Sequence, residues 1–216
     1  PAFKWWVPYT LKKRDRIISL VKQRQTRYLK KTHKFGVELP KSVRHAYELD
    51  KKNGNNKWAE AIRGEVNKLK EYDVFEAMAE GAGAPEGYSR IPLHWVFDVK
   101  HDFRHRARIV AGGHVAPVPD ESPSSSVVSL KGVRLLLFLS QLNKLDLTCV
   151  DIGNAYFEAE TTEKVFAVAG AEFEELEGRV LKITKALYGL KSSGARWHDV
   201  LADALRDLGW KSCKME

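Results

Sequence analysis

The chain has 216 residues, of which 44% are hydrophobic, so a chain that is disordered throughout is excluded. Its formal net charge of +8 suits an anionic partner, with nucleic acid ahead of a membrane surface, although ordinary surface lysines explain the charge equally well. Two distant cysteines and seven scattered histidines offer neither a disulfide framework nor a zinc spacing, and we expect a reducing compartment, no membrane span and no signal peptide.

Residues 1–52 are rich in Lys and Arg, and their partial helical stripe predicts a basic helix or linker. Phosphate binding is one function for this stretch, and a solvated face is the alternative. From position 58 the pattern is clearer, because Trp58, Ile62, Val66 and Leu69 recur at helical spacing. We therefore predict an amphipathic helix there.

Two runs of alternating apolar and polar residues, at 95–100 and 106–111, surround a short polar turn and predict a β-hairpin. The alternation places Arg106 and Arg108 on one face of the second strand. Together with Lys100, these arginines are suited to hold a triphosphate or a template backbone. A solvated face is the alternative.

The remaining sequence predicts loops, a buried helix, three strands and a final amphipathic helix, which together indicate an α+β fold with helices on a mainly antiparallel sheet. In chain order we predict a loop at 80–87, a Pro/Ser loop at 117–126, an all-round apolar helix at 132–145, a strand within 146–157 that runs into a turn, strands at 164–170 and 179–183, and a helix over 197–208 with candidate caps Ser192 and Ser193 and a candidate stop at Gly209.

Asp151 lies at the end of the apolar strand predicted before a Gly-Asn turn. Strand-end carboxylates are a common means of holding paired Mg²⁺ ions for nucleotidyl transfer. One carboxylate cannot hold two ions, so further ligands must come from elsewhere. Read alone, Asp151 is more simply a turn residue.

The segment around Gly189 is a second candidate site. Glycine at this position permits an unusual backbone conformation or a close approach to a ligand. Lys191 follows beside a predicted helix N-terminus, which favours anionic groups. The alternative is a plain strand–turn–helix.

Five sequence elements occur together in a fixed order. They are Trp58, Ala61, Glu65 and Leu69 in one helix, WVFDVK at 95–100 with RARIVAGG at 106–113, PSSSVVSLKGVRLLL at 123–137, DIGNAYF at 151–157, and KALYGLKSSGARW at 185–197. From about Trp58 onward the chain thus resembles the reverse transcriptase domain of Ty1/copia (Pseudoviridae) retrotransposons.

This resemblance implies that residues 53–216 form the fingers and first part of the palm of a right-hand polymerase, behind a basic segment at 1–52. It implies an RNA-directed DNA polymerase that adds dNTPs to a primer 3′-hydroxyl with Mg²⁺. The implied partners are an RNA or DNA template-primer, the dNTP, and the rest of a Pol polyprotein, with integrase upstream and the remaining reverse transcriptase and RNase H downstream.

The resemblance also implies roles for single residues. Asp151 and the Ile152 carbonyl would bind magnesium, and Tyr156 would exclude a ribose 2′-hydroxyl. The implied nucleotide-binding residues are Lys100, Arg106, Arg108, Ile152, Asn154, Ala155, Tyr156, Gly189 and Lys191.

Four positions depart from the family pattern: Gly112, Ser192 and Gly194 replace a lysine, a glutamine and a proline, and Phe103 stands where a turn glycine is common. The Tyr/Phe-x-Asp-Asp motif that supplies further carboxylates does not occur among the 216 residues. We therefore expect a fragment that does not polymerise by itself. The alternatives are a non-catalytic nucleic-acid-binding remnant of a decayed element, and an RNase H-like or integrase strand, which leaves the hairpin and LYGLK without a role.

Overall fold

The computed structural model describes residues 13–20, 32–119, 125 and 127–211. The chain divides into a first unit, Pro1–Ala59 with Phe97–Arg106, and a second unit, Glu60–Val96 with Ala107–Glu216. The described helices are α1 (residues 13–20), α2 (Val43–Asn53), α3 (Lys57–Glu71), α4 (Leu130–Asn143) and α5 (Ser193–Asp207). The strands are β1 (His33–Lys34), β2 (Val37–Glu38), β3 (Phe75–Ala77), β4 (Ser89–Arg90), β5 (Leu93–Val99), β6 (His105–Ala111), β7 (Val165–Val168) and β8 (Val180–Ile183).

In the first unit, β1 and β2 form a small antiparallel hairpin that the sequence pattern did not predict. Lys34 pairs with Val37 across a two-residue turn. The turn residues Phe35 and Gly36 have φ of 51° and 79°, the positive values that a type I′ turn requires. A bulky residue in this conformation is strained, because its side chain crowds the backbone.

The start of α3 is capped by a buried carboxylate of α2. Asp50 is only 3% exposed, and it accepts hydrogen bonds from the backbone N–H groups of Trp58 (3.1 Å) and Ala59 (2.8 Å). These are two of the N–H groups that a helix start leaves without an intrahelical partner. Asp50 therefore fixes the turn between α2 and α3.

Trp58 is the centre of the apolar contacts in the first unit. Its ring centroid lies 5.6 Å from that of Phe97 and 4.3 Å from that of His105, both edge-on. Desolvation lowers the pKa of His105 below its ordinary value, and the charge of Lys57 acts in the same direction. This packing therefore disfavours the charged form of His105.

The second unit contains a four-stranded sheet in the order β3-β8-β7-β4. The β3–β8 and β7–β8 pairs are antiparallel, whereas β4 runs parallel to β7. The predicted α+β architecture with a mainly antiparallel sheet is confirmed at this level. Among the described residues, no helix has the length and apolar character that crossing a bilayer demands.

The predicted helix and hairpin are both present. Trp58, Ile62, Val66 and Leu69 lie on α3 and are each 3% exposed or less. β5 and β6 form the hairpin, in which buried Ala107, Ile109 and Ala111 alternate with half-buried Arg106 and Arg108. The core of the second unit gathers apolar side chains from α3, β6, the sheet and the LYGLK segment.

α4 is a helix, but the prediction that it is buried was wrong. Leu136, Phe138 and Leu142 are 58%, 62% and 66% exposed, and Ser140 is its one buried residue. A helix that is apolar on every side requires partners on every side. The described residues do not cover these faces.

The strand predicted within 146–157 was also wrong. Residues 145–152 have no regular structure, and Leu147 and Val150 are 53% and 75% exposed. An extended segment becomes a strand only when a neighbour pairs with its backbone N–H and C=O groups. No described residue supplies that pairing, so the segment stays irregular.

The C-terminal helix follows the prediction more closely. α5 begins after Ser192, and Gly209 follows its end with a φ of 85°. Ser192 occupies the N-cap position but does not cap the helix with its side chain. Its hydroxyl instead has a buried partner in the candidate site.

Candidate functional site

Asp151 lies in the irregular segment before a short 3-10 helix. Asp151 is exposed, and Ile152 is 45% exposed. Asn154 turns the chain with a left-handed φ of 54°, and its carbonyl accepts from the N–H of Phe157 at 2.8 Å. Phe157 is 2% exposed. The segment is therefore anchored at its C-terminal side, and its carboxylate faces solvent.

The residues present do not complete a magnesium site. Mg²⁺ prefers a near-octahedral set of oxygen ligands, and a two-ion site needs several carboxylates. Among the described residues no group of three or more His, Cys, Asp and Glu side chains is arranged to hold a metal ion. Asp151 and the Ile152 carbonyl offer two ligand groups at most.

Tyr156, Tyr188 and Arg108 form a stack, which we call the aromatic stack. The ring centroids of Tyr156 and Tyr188 are 5.1 Å apart, with an interplanar angle of 57°. The guanidinium carbon of Arg108 lies 5.1 Å from the centroid of Tyr188. Phe157 supports the same ring from 6.1 Å. Stacking of this kind fixes the plane of a guanidinium group while leaving most of its N–H donors available.

One atom of the aromatic stack lacks a partner. Nε of Arg108 is buried, and no described residue accepts a hydrogen bond from it. Arg108 and Tyr156 are half-buried as residues. The sequence predicted which face of β6 carries Arg108, but it did not predict that Arg108 lies on Tyr188.

Gly189 is where the backbone of the LYGLK segment crosses the end of β6. Its φ is 94°, and a Cβ atom there would collide with the carbonyl oxygen of Ala111. A Cβ on Gly113 would in turn collide with the carbonyl oxygen of Gly189. The N–H of Ala111 donates to the carbonyl of Tyr188 at 2.6 Å. The predicted close approach is therefore to the protein's own backbone.

Lys191 is held by a backbone carbonyl. Its ammonium donates to the carbonyl oxygen of Ala116 at 2.7 Å. Ser193 Oγ donates to the carbonyl of Leu187 at 2.7 Å, which closes the segment between them. These bonds fix residues 187–193 against the second unit.

Glu163 is a buried residue of this region that sequence reasoning missed. It is 7% exposed, and its Oε1 accepts from both the N–H and the hydroxyl of Ser192 at 2.8 Å. Its Oε2 is buried without a hydrogen-bond partner among the described residues. No local pattern marks such a carboxylate, because its donors lie distant in sequence.

Lys100 and Arg106 belong to the first unit. Lys100 lies in the turn between β5 and β6, where its N–H donates to the carbonyl of Arg104 at 3.0 Å. Arg106 acts electrostatically on Asp98. Desolvation raises the pKa of Asp98, but hydrogen bonds from Lys34 and Val99 and the charges of Lys34 and Arg106 together hold it below its ordinary value.

The structure thus brings Arg108, Tyr156, Gly189 and Lys191 to one region of the second unit. Asn154 and Ala155 directly precede Tyr156 in the sequence. Residues 78–216 match the family model described as reverse transcriptase (RNA-dependent DNA polymerase), and the chain belongs to this family, in its Ty1/copia type.

Transposon Gag-Pol polyproteins of Saccharomyces cerevisiae are among the relatives of the chain. The chain is 30% identical over 165 residues to the Transposon Ty1-LR2 and Ty1-ML2 Gag-Pol polyproteins, which covers 74% of this chain and 9% of each polyprotein. It is 29% identical over 154 residues to the Transposon Ty1-DR4 Gag-Pol polyprotein, covering 69% and 9%. The chain therefore corresponds to about a tenth of the length of these relatives. No solved structure matches it significantly.

Proposed function

We propose that the chain forms the fingers and the first part of the palm of an RNA-directed DNA polymerase, with residues 1–52 as a basic segment ahead of them. In the complete enzyme the reaction joins a primer 3′-hydroxyl to the α-phosphate of a dNTP. Its partners are a template-primer and the rest of a Pol polyprotein, with integrase upstream and the remaining reverse transcriptase and RNase H downstream.

The aromatic stack is the observation that carries this proposal. Tyr156 presents a flat ring that Tyr188 supports from 5.1 Å, so the ring cannot move away without breaking the packing. A fixed flat ring beneath a sugar excludes a 2′-hydroxyl by steric contact. Arg108, fixed over Tyr188, offers N–H donors to phosphate oxygens.

Other residues have supporting roles in the proposal. The backbone N–H groups near Asn154 and Ala155 face the triphosphate, and Lys100 and Arg106 add positive charge on the hairpin. Gly189 and Lys191 shape the adjoining surface. Asp151 and the Ile152 carbonyl supply part of a magnesium site whose coordination the described residues do not complete.

Substitution of Tyr156 in the complete polymerase domain tests the proposal. Tyr156→Val removes the ring, and we expect the preference for dNTPs over rNTPs to fall at least about tenfold, which corresponds to about 1.4 kcal/mol. The measurement is the ratio of kcat/KM for a dNTP and its rNTP. Tyr156→Phe keeps the ring and should keep the preference. An unchanged ratio in Tyr156→Val contradicts the role of Tyr156.

The alternative is a non-catalytic nucleic-acid-binding remnant of a decayed element. The net charge of +8 and the departures at Gly112, Ser192 and Gly194 favour it. Primer extension by the complete domain, with Asp151→Asn as the inactive control, separates the two. Extension that Asp151→Asn abolishes supports the enzyme, whereas nucleic-acid binding without extension supports the remnant.

A further inference from the structure

Phe35 and Phe103 form an exposed aromatic pair in the first unit. Their ring centroids are 6.2 Å apart in an edge-on arrangement, and the two residues are 52% and 60% exposed. Phe35 lies in the turn between β1 and β2, and Phe103 lies in the turn between β5 and β6. Two large apolar side chains are thus presented to solvent at adjoining turns.

Both phenylalanines occupy strained backbone positions. Their φ values are 51° and 62°, where glycine, asparagine or aspartate is favoured. Strained residues of this kind cluster at functional sites, where the strain serves a purpose. One edge contact between two largely exposed rings buries little area, so it does not account for strain at both turns.

Ion pairs and a net positive charge lie near the aromatic pair. The ammonium of Lys34 lies 5.5 Å from the Phe35 ring centroid and 2.6 Å from a carboxylate oxygen of Asp98. Arg104 lies 2.6 Å from a carboxylate oxygen of Asp102. The two nearby carboxylates are therefore paired. Over residues 32–59 and 97–106 the chain has nine Lys and Arg against five Asp and Glu, so the surroundings are net positive.

We propose that Phe35 and Phe103 form a stacking platform for the bases of single-stranded nucleic acid. Aromatic rings stack on any base, and the net positive charge of this part of the chain, with Lys100 beside Phe103 in the same turn region, attracts the phosphates. A single strand fits better than a duplex, because duplex bases are already stacked and do not offer a free face. The platform rests on the proposed function only in having nucleic acid as its partner.

The test compares Phe103 variants of the full chain in fluorescence-anisotropy titrations with labelled oligothymidylate. Phe103→Leu keeps the backbone strain and an apolar contact but removes the ring, and its affinity should fall at least about fivefold, the lower limit for the loss of one stacked base. Phe103→Tyr keeps a ring and should bind like the unsubstituted chain. Phe103→Gly should melt at a higher temperature and still bind more weakly, because it removes both the strain and the ring.

An abasic oligomer of the same length separates stacking from phosphate contacts. Phe103→Leu and the unsubstituted chain should bind it equally, since it has no base to stack. If Phe103→Leu binds oligothymidylate as tightly as the unsubstituted chain does, the platform is overturned. It is also overturned if Phe103→Leu loses the same affinity for oligothymidylate and for the abasic oligomer. Altered self-association with unchanged binding assigns the pair to a protein contact and also overturns it.

Salt dependence distinguishes this failure from failure of the proposed function. When binding depends on phosphate contacts, the logarithm of the binding constant falls linearly with the logarithm of the salt concentration. If binding of the unsubstituted chain depends steeply on salt and Phe103→Leu binds oligothymidylate with unchanged affinity, only the platform is overturned. No binding of the unsubstituted chain to either probe overturns the platform and counts against a nucleic-acid partner.

Discussion

Gly189 is a position where one added methyl group would meet backbone. Gly189→Ala should lower the free energy of unfolding by about 2–4 kcal/mol, because the φ of 94° strains alanine and its Cβ would collide with the Ala111 carbonyl. Denaturant titration measures the change. Gly178→Ala is the matched control, since its φ is 77° but nothing lies within 4 Å of its Cβ, and it should cost about 1 kcal/mol. Equal losses in the two variants would contradict the crossing.

At the scale of single residues, the sequence predicted side-chain direction better than side-chain contact. Alternation in β6 placed Arg106 and Arg108 opposite the core residues, because a strand has only two faces. It could not predict the Tyr188 ring beneath Arg108, since Tyr188 is 80 positions away and its approach depends on Gly189. Ser192 was a candidate cap, yet its hydroxyl donates to Glu163.

Among the elements, the contact between α3 and the start of β6 makes stability depend on pH. Burial against Trp58 holds the pKa of His105 below 6.5 in the folded state. The unfolded chain therefore binds more protons between these two pKa values. We expect the contribution of His105 to the free energy of unfolding to be fully present above pH 6.5 and to be lost as the pH drops through 6.5 towards the folded pKa.

Denaturation at a series of pH values, compared with His105→Gln, measures this effect. The substitution should flatten the pH dependence in that window. His101→Gln, in the exposed turn that precedes His105, is the matched histidine substitution against which the His105→Gln profile is compared. A profile that His105→Gln does not alter would exclude His105 as its source.

The elements that the sequence predicted correctly are those whose partners the chain itself supplies. α3, the β5–β6 hairpin and strands β7 and β8 all contribute buried side chains to cores in the described chain. The turn between β1 and β2 was missed, because Phe35 precedes Gly36 where asparagine or aspartate usually precedes the glycine of such turns.

At the scale of the whole molecule, α4 and residues 145–152 leave a large apolar surface exposed. We expect an exposed apolar surface of this size to support self-association of the chain. Leu136→Lys should then weaken this association about tenfold, because burial of one leucine contributes roughly 1.5 kcal/mol or more. Sedimentation velocity over a concentration series measures it. The free energy of unfolding should change by no more than about 0.5 kcal/mol, since Leu136 is 58% exposed.

Gln141→Lys is the control for added charge. It places the same charge on the same helix at an exposed polar position, so it should weaken self-association much less. An equal effect of the two substitutions would mean that net charge, rather than apolar area, governs association. The burial prediction for α4 was wrong because apolar composition indicates that a helix is suited to apolar contacts. It does not indicate which residues provide those contacts.

The crossing of Gly113 and Gly189 has a consequence for how copies of such a sequence can diverge. Every single-base change of a glycine codon that alters the product adds a side chain or a stop. At these two positions an added side chain meets a backbone carbonyl, that of Ala111 for Gly189 and that of Gly189 for Gly113, so neither codon can drift while the crossing stays in place. In this chain Phe103, Gly112, Ser192 and Gly194 have departed from the family pattern around an unchanged crossing. The crossing is therefore a marker for sorting copies that still fold from copies that have lost the fold.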